Sequence, residues 1–158
     1  MNIRIISAVS ELDEIRQLFK EYANSLGIDL CFQDFDKELI DLPGKYSEPY
    51  GRLYMALIND KVAGCIALRP IDDHSSELKR LYIRNGYRGL GISKRLIQKV
   101  IDDAIDIGYQ SILLDTLDTM KPAINLYKSF GFQEIDAYYA NPIQGATYFK
   151  LDLLKLQK

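Results

Sequence analysis

The feature that most constrains the fold is a strand, a glycine-rich turn, a long helix and a second strand, which follow one another in mid-chain. The β-rich run 76–83 predicts the first strand. Apolar residues at helical spacing over 92–105, closed by Gly108, predict the helix, and the apolar run 111–116 predicts the second strand. A unit of this length predicts two parallel strands joined by a right-handed crossover.

The remainder of the chain predicts further strands and helices on both sides of this unit. The other predicted strands are 2–6, 52–59, 62–68, 132–135 and 147–153. The other predicted helices are one between Ser10 and Gly27, then 35–42 and 121–130. This order predicts an α/β (α+β) fold with one mixed central sheet of about six to seven strands, flanked by about four helices.

Nothing in the sequence divides the chain. Its 158 residues contain no repeat, low-complexity stretch or linker, so residues 1–158 are predicted to form a single domain. The longest apolar runs are far shorter than the roughly 20 residues that span a bilayer, so no membrane partner is expected. The N-terminus lacks the apolar core of a signal peptide, so a cytoplasmic location is expected.

The cysteine and histidine content argues against a metal site. Cys31 and Cys65 are the two cysteines, they form no CxxC pair, and His74 is the single histidine. No metal is therefore expected. Cys65 lies in an apolar strand and is predicted to be a core residue rather than an acyl-accepting nucleophile. His74 lies in a polar turn and is predicted to be solvated, whereas the sequence does not place Cys31.

Charge is distributed unevenly along the chain. The window 78–101 holds seven basic and no acidic residues, while the whole chain carries a net −2, so the remainder carries −9. A basic window in an otherwise acidic chain indicates a discrete anionic ligand, although solvated helix lysines explain part of it. The acidic remainder argues against a nucleic-acid partner.

The turn between strand 76–83 and the following helix has the features of a pyrophosphate site. Gly86, Gly89 and Gly91 allow the backbone to approach a ligand, and unpaired N–H groups lie at the positive end of the helix dipole. Arg88 adds a guanidinium beside the turn. A P-loop is excluded because no lysine follows Gly91, and the glycine order is not that of a dinucleotide fingerprint.

The stretch 88–93, RGLGIS, resembles the [RQ]xxGx[GA] signature of the GNAT acetyltransferases. A second block, 123–132, reads AINLYKSFGF and is similar to the family's downstream AxxLYxxxGF motif. The resemblance covers about residues 50–153 and implies the GNAT form of the mixed sheet. Smaller similarities, at 65–70, 114–117, 120–121 and 139–142, look like a common bacterial branch whose acceptor is unassigned. Ser93 departs from the usual Gly or Ala, but ligand binding is expected to survive because serine is small.

The resemblance implies acetyl-CoA as the co-substrate. Backbone groups of Leu81, Tyr82 and Ile83 would pair with the pantetheine arm, which would enter where strands 76–83 and 111–116 splay apart. The side chains of Leu81 and Ile83 are equally explained as core residues, and both roles are compatible. Backbone amides of the turn would hold the pyrophosphate, which assigns it to Arg88, Gly89, Leu90, Gly91, Ile92 and Ser93.

Two residues are candidates for proton transfer. Attack of an amine on the thioester releases a thiolate, and the Tyr127 hydroxyl is the candidate acid that protonates it. An amine arrives as ammonium, and Glu77 is the candidate base that removes its proton. The alternatives are a buried aromatic for Tyr127 and an exposed carboxylate at a strand start for Glu77. A backbone N–H near Leu81 is expected to hold the oxyanion.

Other residues point to the acceptor side. Lys79 and Arg80 are adjacent on a strand, so one is expected to face the cleft and the other the opposite face, which would suit an anionic group on the acceptor. Four tyrosines in irregular segments could line the acceptor site, because such loops often carry binding residues: Tyr46, Tyr50, Tyr138 and Tyr139.

Together these features predict an acetyl-CoA-dependent N-acetyltransferase. It would move the acetyl group to an amine of a small molecule or peptide, by direct attack in a ternary complex. The alternative is a non-catalytic acyl-CoA-binding sensor on the same fold, which would need neither Tyr127 nor Glu77. A homodimer is a further expectation, because dimers are common among the proteins that the chain resembles.

Overall fold

The computed structural model describes residues 1–27 and 34–157, which share one seven-stranded sheet with helices on both faces. The strands are β1 (Ile3–Ser7), β2 (Arg52–Ile58), β3 (Lys61–Pro70), β4 (Ser75–Ile83), β5 (Ser111–Leu117), β6 (Gln133–Ile135) and β7 (Ala146–Asp152). The helices are α1 (Leu12–Leu26), α2 (Phe35–Asp41), α3 (Ile92–Ile107), α4 (Lys121–Phe130) and α5 (Leu153–Leu156). Cys31 lies outside the described residues.

The sheet has the strand order β1-β2-β3-β4-β5-β7-β6, and β4 and β5 are its parallel pair. The other neighbouring strands described are antiparallel. The predicted mixed sheet and the predicted parallel pair around α3 are therefore confirmed. Helix α5 was not predicted, because four residues are too few to show a helical period. It begins where the Asp152 carboxylate accepts the N–H of Leu154.

Strand side chains alternate between two apolar layers, one on each face of the sheet. On β3, Ile66 and Leu68 pack with α3 and α4, whereas Cys65 and Ala67 pack with α1 and α2. These two sides are called the α3 face and the α1 face below. A strand buried on both faces needs helices on both, which explains why β2 and β3 are nearly continuous apolar runs.

The helix that joins β4 to β5 ends as the sequence predicts. Gly108 follows the last residue of α3 with φ +106°, and its N–H donates to the carbonyl oxygen of Ala104. A residue with a Cβ would be strained in this left-handed conformation. The glycine therefore fixes the point at which the chain leaves α3 and returns to the sheet.

A bulge interrupts the pairing of β3 with β4. Cys65 pairs with Tyr82 and Ala67 pairs with Lys79, so one residue of β3 lies opposite two residues of β4. Arg80, at this point, has φ +60°, which is uncommon for a residue other than glycine. The extra residue shifts the alternation of β4 and changes the face to which Arg80 points.

The parallel strands separate along their length. β4 and β5 pair from Ser75 with Ser111 to Glu77 with Leu113, and there the pairing ends. Both strands nevertheless continue, β4 to Ile83 and β5 to Leu117. A gap thus opens between them on the side where the glycine-rich turn lies, in agreement with the splay that the family resemblance implies.

Candidate active site

A cavity of about 630 Å³ occupies the gap between β4 and β5 and extends along the start of α3. It is lined by residues of both faces of the sheet, among them Tyr127 on the α3 face and Lys79 on the α1 face. Its size is that of a small-molecule or cofactor site. The cavity therefore extends from one face of the sheet to the other through the gap.

The glycine-rich turn forms one end of this cavity. Gly89 and Gly91 have φ +80° and +81°, and a Cβ at either position would contact nothing within 4 Å. Backbone conformation rather than crowding is therefore what requires glycine here. Nε of Arg88 donates to the carbonyl oxygen of Ile83 at 3.1 Å, which ties the turn to the end of β4.

The residues predicted to hold the cofactor lie together. Leu90 is the exception: its side chain is 39% exposed and does not line the cavity. The others all line it, namely Leu81, Tyr82, Ile83, Arg88, Gly89, Gly91, Ile92 and Ser93. Their binding roles stay predictions, but the arrangement places a helix N-terminus and an open strand edge in one cavity.

The strand edge is the part of β4 that follows the last paired residue. Tyr82 and Ile83 pair with β3 on one side, and no residue of β5 within the described ranges pairs with them on the other. Leu81, which lies beside the bulge, has its side chain against the α3-face core. Backbone groups directed into the gap can thus bind an extended ligand as an added strand would, while the side chains remain in the core.

Tyr127 is positioned by α4 at the wall of the cavity. Its side chain is 6% exposed and packs edge-on against Phe132, with ring centroids 5.6 Å apart. Burial raises the pKa of the Tyr127 hydroxyl well above its usual range. The hydroxyl therefore keeps its proton at neutral pH and is a proton donor rather than a base.

Glu77 is buried rather than exposed. It is 2% exposed, and its two oxygens accept hydrogen bonds from Nε of Arg69 at 2.8 Å and from the Tyr138 hydroxyl at 2.5 Å. Burial raises the pKa of Glu77, but the Lys79 and Arg69 charges and these hydrogen bonds outweigh it, and the net shift is downward. The carboxylate does not line the cavity, so it has the surroundings of a structural anion. Its predicted role as a base stays a prediction.

Lys79 and Asp115 form an ion pair inside the cavity. Nζ of Lys79 lies 4.0 Å from Oδ1 of Asp115, and both residues line the cavity. Burial, and after it the Arg80 charge, lower the pKa of Lys79 to about 8, although the Glu77 and Asp115 charges act in the opposite direction. The other oxygen of Asp115 accepts hydrogen bonds from the Tyr139 hydroxyl and from Asn141.

Asp115 is not among the site residues predicted from the sequence. The signal was present, because Asp115 is the single charged residue of the apolar run 111–116. A carboxylate in a buried strand is rarely there for packing. Its importance follows from register: Glu77 and Leu113 are the last pair, so Lys79 and Asp115 come two residues later on either side of the gap.

The expectation that Lys79 and Arg80 point to opposite faces is wrong. Lys79 pairs with Ala67 of the α1-face core, and Arg80 donates two 3.0 Å hydrogen bonds to Glu38 of α2, on the same face. The Arg80 guanidinium also lies over the ring of Phe35, 5.3 Å from its centroid. The bulge at Arg80 is the reason. With strict alternation Arg80 would point to the face opposite to that of Lys79, but the extra residue of the bulge directs its side chain to the α1 face as well.

The four tyrosines in irregular segments divide into two groups. Tyr138 and Tyr139 bond to Glu77 and Asp115, as described above, and so close the α1 face over the last residues of the paired strands. Tyr46 is buried in the α1-face core. Tyr50 is exposed and distant from the cavity, where its carbonyl accepts the hydroxyl of Tyr109.

Two minor expectations are also resolved. His74 is exposed in the turn before β4, as predicted. Cys65 is fully buried, as predicted, and burial raises the pKa of its thiol far above the usual range, which suppresses the thiolate. Within 1–27 and 34–157, no three histidine, cysteine or acidic residues are grouped as metal ligands. None of the helices described there is long and apolar enough to cross a membrane.

Comparison with known proteins agrees with the family resemblance found in the sequence. The model of the acetyltransferase (GNAT) family matches residues 12–132. An uncharacterized N-acetyltransferase of Schizosaccharomyces pombe is 39% identical, covering 98% of this chain and 96% of its own length. Another uncharacterized N-acetyltransferase, from Dictyostelium discoideum, is 34% identical, covering 97% of this chain and 100% of its own length. Since both are eukaryotic, the expected bacterial branch is not confirmed.

Solved structures share the fold over nearly the whole chain. A GNAT-family acetyltransferase from Staphylococcus aureus has a TM-score of 0.80 and 27% identity, covering 96% of this chain and 99% of its own. A GNAT-family acetyltransferase from Elizabethkingia anophelis was solved with acetyl-CoA bound. It has a TM-score of 0.65 and 23% identity, covering 96% of this chain and 98% of its own.

Proposed function

The chain belongs to the GNAT acetyltransferase family, and from this premise we propose that it moves the acetyl group of acetyl-CoA to an amine of a small molecule or peptide by direct attack. The observation that carries the proposal is the gap between β4 and β5, which joins the glycine-rich turn to Tyr127 within one cavity. A relative of the same fold holds acetyl-CoA, which supports the choice of co-substrate.

The geometry supports a specific path for the co-substrate. The turn 88–93 would bind the pyrophosphate through backbone N–H groups at the start of α3. The pantetheine arm would then run along the open edge of Leu81–Ile83, toward the point where β4 and β5 meet. This path brings the thioester beside Tyr127 and in front of the Lys79–Asp115 pair.

The reaction needs three proton transfers. The ammonium of the acceptor loses one proton to a base, and the neutral nitrogen attacks the acetyl carbon. The C–N bond forms, the C–S bond breaks, and the thiolate takes a proton from Tyr127, which recovers one from the nitrogen. Glu77 was predicted as the base, but among the two carboxylates only Asp115 lines the cavity.

The alternative, a sensor that binds acyl-CoA without turnover, is set aside. The relatives that match nearly the whole chain carry the name N-acetyltransferase. The cavity also holds an un-ionised tyrosine hydroxyl on one face and a carboxylate on the other. A binding site alone would need neither. Homodimer formation, a cytoplasmic location and a bacterial branch rest on the sequence and stay predictions.

Acetyl-CoA is expected to raise the melting temperature of the protein. A ligand that binds only the native state contributes about 2.7 kcal/mol at 100 times its Kd, which corresponds to roughly 5–10 °C for a chain of this size. Differential scanning fluorimetry with equal concentrations of acetyl-CoA, CoA, ATP and NAD measures this. A rise with both CoA species, and none with NAD, supports the proposal. If neither acetyl-CoA nor CoA raises the melting temperature, the proposal is refuted.

Two glycine variants locate the binding site in the same experiment. Gly89 and Gly86 both have positive φ, so Gly89→Ala and Gly86→Ala should each cost about 1–2 kcal/mol of stability. Gly89 lines the cavity and Gly86 does not. We therefore expect Gly89→Ala to reduce the acetyl-CoA shift and Gly86→Ala to retain it. Equal shifts in both variants would place the ligand elsewhere.

A further inference from the structure

We propose that the acceptor is a free α-amino acid, whose α-ammonium binds Asp115 and whose α-carboxylate binds Lys79. The inference rests on the proposed function, because it concerns the acceptor of the same reaction. It goes further by assigning the chemical class of the acceptor and the residues that recognise it.

The charges of Lys79 and Asp115 complement those of an α-amino acid. Lys79 and Asp115 present a cation and an anion 4.0 Å apart in the wall of one cavity. An α-amino acid is a zwitterion whose ammonium and carboxylate are separated by a single carbon atom. Its ammonium can therefore bind Asp115 while its carboxylate binds Lys79, so that each buried charge has a partner of opposite sign. A simple amine would supply only the cation.

The Lys79–Asp115 pair also lies where the thioester is expected. Lys79 and Asp115 come two residues after the last β4–β5 pair, on either side of the opening gap. A pantetheine arm that follows Leu81–Ile83 from the turn points toward this place. Tyr127 reaches the cavity from the opposite face of the sheet. The nitrogen thus approaches from the α1 face, while the sulfur leaves toward a proton donor on the α3 face.

The buried Lys79–Asp115 pair contributes little to stability, which favours a role in binding. Lys79 is 5% exposed, and buried ion pairs are weak contributors to stability compared with apolar residues of similar size. Asp115 is nevertheless held in a fixed orientation, because Tyr139 and Asn141 donate to its second oxygen. One oxygen is thus held by Tyr139 and Asn141, and the other lies 4.0 Å from Nζ of Lys79. Such support is expected for a group that must meet a ligand in one orientation.

In this arrangement Asp115 takes the proton from the α-ammonium, and the nitrogen then attacks the acetyl carbon. The C–N bond forms, the C–S bond breaks, and the sulfur leaves as CoA thiol with the proton from Tyr127. Tyr127 regains the proton that the nitrogen loses when the amide forms. The products are an N-acetyl amino acid and CoA, and Asp115 returns its proton to solvent.

The test compares each amino acid with two analogues that lack the carboxylate. Initial rates of acetyl-CoA consumption are measured for the twenty amino acids, for their decarboxylated amines and for their α-amides. The thermal shift with acetyl-CoA is recorded on the same protein. We expect at least one amino acid to have a kcat/KM about 10- to 100-fold above both of its analogues, as is typical for loss of one charged hydrogen-bond partner.

The outcomes separate the two proposals. An amine, amide or peptide that is used as well as the best amino acid overturns the inference and leaves the proposed function in place. The same holds if acetyl-CoA binds but no amino acid is acetylated. Failure of acetyl-CoA to bind counts instead against the proposed function.

Lys79→Met tests the assigned contact, with Lys150→Met, an exposed lysine of β7, as the matched control. We expect Lys79→Met to lower kcat/KM for the amino acid by about 10- to 100-fold more than for the decarboxylated amine, so that the preference for the carboxylate is lost. The acetyl-CoA shift should persist in both variants, which shows that each is folded. An equal loss for both acceptors, or no loss for either, would remove Lys79 from carboxylate recognition.

Discussion

Replacing Tyr127 by phenylalanine is expected to lower kcat by about 10²- to 10⁴-fold, the usual contribution of a positioned proton donor. The ring fills the same volume and keeps its edge contact with Phe132, so stability and the acetyl-CoA thermal shift should change little. Loss of rate with retained binding would assign the hydroxyl to the chemical step. Steady-state kinetics with the best acceptor, together with scanning fluorimetry, measures both quantities.

Tyr109→Phe is the matched control for this variant. Tyr109 is equally buried and loses one hydrogen bond, to the carbonyl oxygen of Tyr50, but lies outside the cavity. It should cost about 1 kcal/mol of stability and leave kcat within about 2-fold. If Tyr127→Phe also stays within about 3-fold of the wild-type kcat, the proton comes from another group or from water.

The pH dependence provides a second readout of the same residue. Burial raises the pKa of Tyr127, so its hydroxyl stays protonated through the range in which the acceptor amine becomes neutral. The wild-type rate should therefore rise with pH and reach a plateau, without a descending limb from Tyr127 below about pH 10. A descending limb near pH 8 that persists in Lys79→Met would indicate a different acid, because the lowered pKa of Lys79, about 8, explains a limb that this variant loses.

Much of this site could be predicted from local sequence pattern. The turn 88–93 lies where the glycine spacing and the following amphipathic run indicate, because backbone conformation and helix ends depend on near neighbours. Gly108 ends α3 for the same local reason. The parallel pairing of β4 with β5 followed from the length of the crossover.

What escaped prediction depends on contacts between residues that are distant in sequence. The positive φ of Arg80 follows from the bulge opposite β3 and from the bonds to Glu38, and no local pattern reports either. The place of Asp115 in the cavity can be recognised only from the strand register, which puts it across the gap from Lys79. Glu77 was predicted as a base, with an exposed carboxylate at a strand start as the alternative. It is instead enclosed by Arg69 and Tyr138, which are eight and 61 residues away in the sequence.

Glu77→Ala is expected to lower the free energy of unfolding by about 3 kcal/mol at pH 7, a value at the lower end for breaking a buried ion pair. The substitution leaves Arg69 and the Tyr138 hydroxyl without their shared acceptor. The melting temperature should fall by roughly 6–12 °C. Glu134→Ala, an exposed carboxylate on β6, is the control and should stay within about 0.5 kcal/mol of the wild type. Chemical denaturation measures both.

Acid should remove the same contribution. The folded pKa of Glu77 lies below the unfolded value of about 4.3, so its share of stability is complete above that pH and is lost as pH falls through the folded pKa. The difference in unfolding free energy between wild type and Glu77→Ala should therefore be constant from pH 7 to about 5 and shrink below it. A difference that grows in acid would mean that the folded pKa is raised.

Glu77→Gln separates a structural anion from a catalytic base. Glutamine keeps the shape and one acceptor oxygen but cannot take a proton. Because the carboxylate is enclosed and does not line the cavity, we expect kcat to stay within about 5-fold of the wild type. Asp115→Asn should reduce it by about 10²-fold or more, as removal of a general base does. The reverse pattern, a large loss in Glu77→Gln and a small one in Asp115→Asn, would make Glu77 the base and would require Tyr138 to move aside for the acceptor.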